Sequence, residues 1–385
     1  MPDTYTPTEM LAKLVSFPTV SRDSNMPLMD FVADYLAGHG VASERVPNAS
    51  GTKHNLYALV GPEVAGGVVL SGHTDVVPVD GQDWSTDPWL LTEKGSRLYG
   101  RGSCDMKGFL ALALCAVPKA LAAGIKRPLQ LAFTYDEEVG MDGAFRLVPE
   151  MAAKMPPAPV VIVGEPSNMQ VVTGHKGGLM LETHLRGFEV HSSILHTGVS
   201  AVHHAARLVT WLEDQTFANA DKADPDCPFV PPYTTLHVGR MHGGTATNIT
   251  AKDCWFPIDI RPVPPETNAQ WMERYQAEVD RVDALMKAVH PDAGIEIKIV
   301  GDTPACRPEQ ATEAEALCRQ LTGDNGEHVV SYGTEAGIFQ GDGYSACICG
   351  PGCIDQAHQP DEFIEISELV AGEAFMERLV TRLAS

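Results

Sequence analysis

Val68-Val69-Leu70-Ser71-Gly72-His73-Thr74-Asp75 is a short apolar run that ends in a histidine and, two residues on, a carboxylate. A run of this length bounded by glycine predicts a buried strand of a parallel sheet, and in open α/β sheets ligands bind beyond the carboxyl ends of such strands. Side chains at i and i+2 of an extended chain share a face. The spacing therefore predicts that Asp75 accepts a hydrogen bond from one ring nitrogen of His73 and leaves the other free for a metal ion. Taken alone, His-x-Asp is a common loop pair, so the metal reading needs support from other segments.

Working outward, the same strand type recurs. Pro128-Leu129-Gln130-Leu131-Ala132-Phe133-Thr134-Tyr135 ends in Asp136-Glu137-Glu138, and Pro159-Val160-Val161-Ile162-Val163 ends in Gly164-Glu165. Helical patterns fill 109–123 and 143–153, so strands and helices alternate as in a parallel sheet with crossover helices. A hairpin is expected over 88–101, first helices near Met10 and over 28–36, a strand over 55–60, and later a helix over 313–321, a strand over 345–349 and a last helix over 367–383. Between 179 and 300 the pattern is different: half-exposed strands and amphipathic helices run strand-helix-strand-strand-helix-strand. The fold class expected is α/β, with a mostly parallel twisted sheet flanked by helices in a discontinuous catalytic domain (1–178 and 301–385) and an inserted α+β domain (179–300).

Length and composition agree with this. At 385 residues the chain exceeds what one hydrophobic core comfortably fills, which favours two domains. A formal net charge of −22 argues against nucleic acid or an anionic membrane as partner. No run approaches the ~18 apolar residues of a membrane span, and Met1 to Glu9 lack the basic-then-apolar pattern of a signal peptide. Nine scattered cysteines suit a reducing compartment, so a cytoplasmic location is expected. Cys347 and Cys349 read as buried strand residues rather than as zinc ligands, although Cys353 lies close by.

Candidate site residues collect at strand ends. His73, Asp105, Glu138, Glu165 and His358 each follow a predicted strand or begin the helix after one, and in a parallel sheet such positions share one edge. Five ligands with carboxylates in the majority match the needs of two divalent ions, with Asp105 able to bridge them. Separately each has a plainer explanation: Asp105 as a helix cap, Glu137-Glu138 as an acidic first helical turn. A strand end that aims one of two adjacent carboxylates at metal and the other at water supplies both a ligand and a general base.

The segments His73-Thr74-Asp75, Gly102-Ser103-Cys104-Asp105-Met106-Lys107-Gly108, Asp136-Glu137-Glu138, Gly164-Glu165-Pro166 and Gln356-Ala357-His358-Gln359-Pro360-Asp361-Glu362 resemble the motifs of the co-catalytic zinc aminoacylase and carboxypeptidase family, in order and spacing, from about residue 10 to the C-terminus. His175-Lys176-Gly177, His242-Gly243-Gly244, Asp259-Ile260-Arg261-Pro262 and Thr334-Glu335-Ala336 are most similar to its acetylornithine deacetylase branch. The desuccinylases of the family carry other residues at Thr334-Glu335-Ala336. The chain departs from the family at Phe188-Glu189-Val190, where small residues are usual before His191, and at Gly337-Ile338.

The resemblance implies hydrolysis of an N-acyl amino acid, with N2-acetyl-L-ornithine the expected substrate and a broader deacylase, a desuccinylase or a chemically dead metal-binding module as alternatives. It implies two zinc ions, for which cobalt or manganese could substitute: His73 and Glu165 on one, Glu138 and His358 on the other, Asp105 between. It further implies Glu137 as general base, Asp75 as the residue orienting His73, and a homodimer, through the inserted domain, in which His191 reaches the partner's site. Asn248 and Arg261, with Gly333, Thr334 and Glu335, are the substrate contacts expected, Glu335 on the side of the substrate's ammonium group.

Overall fold

The structure is a computed structural model and describes residues 4–309 and 311–385. Contacts divide the chain into two compact units, one drawn from the residues up to Gly174 with Pro308–Val329 and Thr334–Ser385, the other from His175–Arg307 with Val330–Gly333.

The first unit is built on an eight-stranded sheet ordered Ser43–Pro47, His54–Val60, Leu129–Thr134, Val68–His73, Val160–Pro166, Ser345–Gly350, Val172–His175, His328–Val330. Its four central strands are parallel, and Ser43–Pro47, His54–Val60 and Val172–His175 outside them pair antiparallel. Every residue of Val68–His73, Leu129–Thr134 and Val160–Pro166 is buried. Both faces of these strands are covered, which is why the sequence shows continuous apolar runs there and no alternation.

The covering helices include Pro7–Val15, Lys107–Ala123 and Ile366–Ala384, which pack on one another. Lys107–Ala123 runs unbroken through Pro118 and stops at Gly124, whose left-handed φ of 58° closes the helix. A second, three-stranded sheet pairs Phe363–Glu365 with Arg97–Tyr99 and that strand with Thr92–Lys94. It extends the expected hairpin by one strand and lays Glu362 beside Gly100, whose N–H donates to the Glu362 carbonyl at 2.9 Å.

In the second unit Thr235–His237, Asp253–Arg261, Gly178–Arg186 and Gly294–Thr303 form an antiparallel sheet, with the short His242–Gly243 also pairing Asp253–Arg261. Here burial alternates along Gly178–Arg186 and Asp253–Arg261, one face meeting the helices Ala201–Asp221 and Asn268–Lys287. The first of these helices runs to Asp221, since no glycine or proline interrupts it. Cys347 and Cys349 are buried strand residues, and all nine cysteines are free thiols. Among the described residues no helix is long and apolar enough to cross a membrane.

Candidate metal centre

Strand Val68–His73 ends on His73, so Asp75 lies beyond the regular strand. The i, i+2 expectation therefore holds only in part. His73 Nδ1 meets the Asp75 main-chain carbonyl at 2.9 Å, whereas the Asp75 carboxylate stands 3.7 Å away. Because a carbonyl only accepts, Nδ1 carries a proton in every state, and Nε2 faces Asp105 Oδ1 at 3.0 Å and Glu165 Oε1 at 3.7 Å. The orienting contact from Asp75 is thus its carbonyl. Its carboxylate serves another loop, accepting from Ser21 Oγ at 2.7 Å and from the N–H groups of Glu137 and Glu138 at 3.2 and 3.4 Å.

That second loop begins where Leu129–Thr134 ends. Asp136 takes a left-handed φ of 58°, tolerable for its short polar side chain, and pairs with Lys53 Nζ. The turn throws Glu137 and Glu138 into a short 3-10 helix, Glu137–Val139. Glu138 Oε1 lies 3.2 Å from His358 Nε2. His358 itself has φ 64°, an uncommon conformation for a non-glycine residue, of the kind found where function holds a backbone in place.

Asp105 caps no helix: Lys107–Ala123 starts after Met106 without a side-chain cap. Its carboxylate instead sits between two imidazoles, 3.0 Å from His73 Nε2 and 3.3 Å from His358 Nε2. Glu165 comes from inside strand Val160–Pro166. The residue before it must be glycine, since a Cβ on Gly164 would lie 1.9 Å from the Phe109 ring. His73, Asp105, Glu138, Glu165 and His358 are therefore brought together from five segments, with Glu137 among them.

The electrostatics show what this cluster lacks. Burial, reinforced by Glu165, pushes the Glu137 carboxyl well above the usual range, and burial with Asp105 does the same to Glu165. Glu138 is pushed up to about 7 by burial and by Asp105. Burial works against a charged Asp105, but hydrogen bonds from His358 and His73 outweigh it and hold its carboxyl low. His73 is held well above its ordinary value, burial being overcome by Glu165 and Asp105, and hydrogen bonds to Asp105 and Glu138 raise His358 to about 10.

A site whose carboxylates hold protons against their chemistry is short of positive charge, and bound cations supply it. Glu165 Oε1 is buried with no hydrogen-bond partner, a lone pair aimed into the cluster. Donor atoms of His73, Glu137 and Glu165, and of His73, Asp105 and Glu138, lie within 4.8 Å of one another. The residues fit divalent metal. The first set also includes Glu137, which the sequence reading keeps off the metal.

The other expected residues are divided between the two units. His191, in the second unit, is exposed, and its Nδ1 accepts from the Ser193 N–H at 3.2 Å, capping the turn Ser192–Thr197. Asn248 is exposed, its carbonyl accepting from Ser192 N–H at 2.9 Å. Arg261 Nε pairs with Asp259 Oδ1 at 2.9 Å, and Gly333 packs its Cα side against Thr303. In the first unit Thr334 is buried, accepting from Ala336 N–H at 3.1 Å. Glu335, expected on the side of the substrate's ammonium group, is 1% exposed, and its two oxygens accept from Ser71 Oγ at 3.0 Å and from Thr134 Oγ1. It braces two strands beneath His73.

Sequence reasoning passed over Glu362, which accepts four hydrogen bonds around Asp105. Its signal was its place at the end of the motif that runs from Gln356 to Glu362.

Against known proteins, residues 69–382 match the model of peptidase family M20/M25/M40. The chain is 36% identical over 379 residues to an acetylornithine deacetylase of Myxococcus xanthus, covering 96% of this chain and 95% of the relative. It is 33% identical over 384 residues to the acetylornithine deacetylase of Proteus mirabilis (strain HI4320), covering 97% and 95%. Among solved structures, a M20 family metallo-carboxypeptidase from Sulfolobus solfataricus superposes with a TM-score of 0.78 at 18% identity, covering 99% of this chain and 100% of the other. A dinuclear metal binding peptidase of the M20 family from Bacillus subtilis gives 0.63 at 13% identity, covering 98% and 97%.

Proposed function

This chain belongs to peptidase family M20/M25/M40, and from that premise we propose that it hydrolyses the N-acyl amide of an acylated amino acid, with N2-acetyl-L-ornithine as substrate and L-ornithine and acetate as products. The observation that carries the reading is Asp105 standing between His73 and His358, with the orphaned Glu165 oxygen and the proton-holding Glu137 and Glu138 around it. The relatives named acetylornithine deacetylase supply the substrate.

His73 and Glu165 would hold one zinc ion, Glu138 and His358 a second, and Asp105 both; cobalt or manganese would substitute in so carboxylate-rich a set. When bound, the ions polarise the acyl carbonyl and ease deprotonation of a water molecule. Glu137 takes that proton as the water attacks and returns it to the leaving α-amine, so one carboxyl serves as base and then as acid.

His191 would meet the developing oxyanion. With Nδ1 engaged as an acceptor by Ser193, a neutral His191 carries its proton on Nε2. Asn248 and Arg261, with Gly333 and Thr334, would bind the substrate around its α-carboxylate. The inserted unit would act as lid and as the contact of a homodimer through which His191 serves the partner's site, and the enzyme would work in the cytoplasm.

A steady-state panel on the zinc-loaded chain tests this. Acetylornithine should be hydrolysed with a higher kcat/KM than acetylmethionine or succinyl-diaminopimelate. A preference for acetylmethionine would make the chain a broader deacylase, and no hydrolysis of any N-acyl amino acid would overturn the proposal.

A further inference from the structure

We infer that Glu362 is a positioning residue that holds Asp105 and, through Arg101 and Gln82, His358 at the spacing the pair of cations requires; this rests on the two-cation reading above. Glu362 Oε1 accepts from the N–H groups of Cys104 at 2.9 Å and Asp105 at 3.0 Å. Its Oε2 accepts from Gly102 N–H at 3.0 Å and from Arg101 Nη1 at 2.8 Å. One carboxylate thus gathers three main-chain donors of the loop that ends in Asp105, those of Gly102, Cys104 and Asp105, and fixes the backbone from which the Asp105 side chain reaches between the imidazoles.

The loop is shaped for this grip. Gly102 has φ 78°, and a Cβ there would lie 2.7 Å from Val76 Cγ1. Arg101 then carries the connection onward. Its Nη2 donates to Gln82 Oε1 at 2.5 Å, and Gln82 Nε2 donates to the main-chain carbonyl of His358 at 3.0 Å. The guanidinium also lies 5.1 Å from the Trp84 ring centroid, and Trp84 Nε1 donates to the same Gln82 oxygen at 3.1 Å.

The left-handed backbone of His358 is therefore tied to the Asp105 loop by an unbroken series of hydrogen bonds from Glu362. Arg101 and Glu362 side chains are each 1% exposed. A buried ion pair is costly to desolvate and weak ground for stability, so its placement directly behind the shared ligand points to geometry as its use.

Calorimetric zinc titration of the full-length chain, stripped of metal beforehand, tests the inference, with circular dichroism to establish folding. E362Q replaces two acceptor positions by a donor facing Arg101 and Gly102 N–H. It should keep the wild-type spectrum and bind zinc about 10–100-fold more weakly at both sites, because Asp105 serves both. Q82A, in a partly exposed loop, should weaken only one of the two sites, that of His358. A folded E362Q with wild-type affinities overturns the inference. If E362Q does not fold, Q82A decides, and unchanged affinities there overturn it. Equal weakening of both sites in Q82A also contradicts the relay. A wild-type chain that takes up no zinc overturns the cation reading and this inference with it, whereas wild type binding two with unaltered variants removes the inference alone.

Discussion

The rim that carries His73 and the turn that carries His191 present the same side chain under opposite conditions. His73 is 1% exposed and is fixed at both nitrogens, by a carbonyl on one side and by Asp105 on the other. His191 is exposed, and only its Nδ1 is held, by Ser193 two residues away. A metal ligand must be in place before its ion arrives, and the surrounding fold supplies that with buried, long-range hydrogen bonds. His191, for which an oxyanion role is proposed, is held only by a local contact on a surface turn and would need further ordering to serve it.

The largest expected effect belongs to the rim. Glu137→Gln keeps a hydrogen-bonding side chain of the same shape but removes the proton carrier, and kcat should fall by about 10²–10⁴-fold with both zinc ions retained. Metal analysis beside steady-state kinetics checks this, and near-wild-type turnover would refute the base. If zinc were lost along with activity, Glu137 would be a ligand with His73 and Glu165, as their proximity allows.

For the exposed histidine a smaller loss is expected. His191→Ala should lower kcat by about 10²–10³-fold, the worth of one oxyanion donor, with zinc content and folding unchanged. Mixing it with Glu137→Gln should restore part of the activity if His191 acts across a homodimer. Absence of recovery would confine His191 to its own subunit.

The smallest effect is a pH dependence confined to the rim. In the metal-free chain the folded-state values of Glu137, Glu138, Glu165, His73 and His358 are all raised. Each such group stabilises the fold most below its unfolded value and loses that contribution as pH rises through its folded one. For Glu138 the window runs from 4.5 to about 7, and for His358 from 6.5 to about 10. Asp105, held low, has the opposite sign, but its window closes at its ordinary value of 3.8. Urea unfolding of the metal-free chain should therefore show stability falling from pH 4.5 toward about 7, above which Lys107, lowered to about 7 by burial, contributes with the opposite sign. Zinc, which displaces those protons, should remove most of the slope. Equal slopes with and without zinc would mean that the titrating groups lie away from the rim.

Much of this architecture was legible because its signals are local. Buried strands announce themselves as apolar runs, and the residues at their ends can be read in order, as His73, Glu138 and Glu165 show. The two half-exposed strands Gly178–Arg186 and Asp253–Arg261 announce themselves by alternation. What escaped depends on where the backbone goes. The carboxylate of Asp75, beyond the last strand residue His73, reaches the N–H groups of Glu137 and Glu138, and no spacing rule records that contact.

Glu335 is a polar residue in a motif whose value lies in two hydroxyls on distant strands, Ser71 and Thr134. Glu362 is recognised by main-chain N–H groups, which carry no sequence signature. The strands His328–Val330 and Phe363–Glu365 are three residues each, too short to show a period.

The central claim is that acidic and imidazole groups from five segments close around a pair of cations that share Asp105. Anomalous diffraction at the zinc edge from a crystal of the zinc-loaded chain measures it directly. Two peaks are expected, one beside His73 and one beside His358, each within coordination distance of an Asp105 oxygen. A single peak, or two of which either fails to touch Asp105, would contradict it.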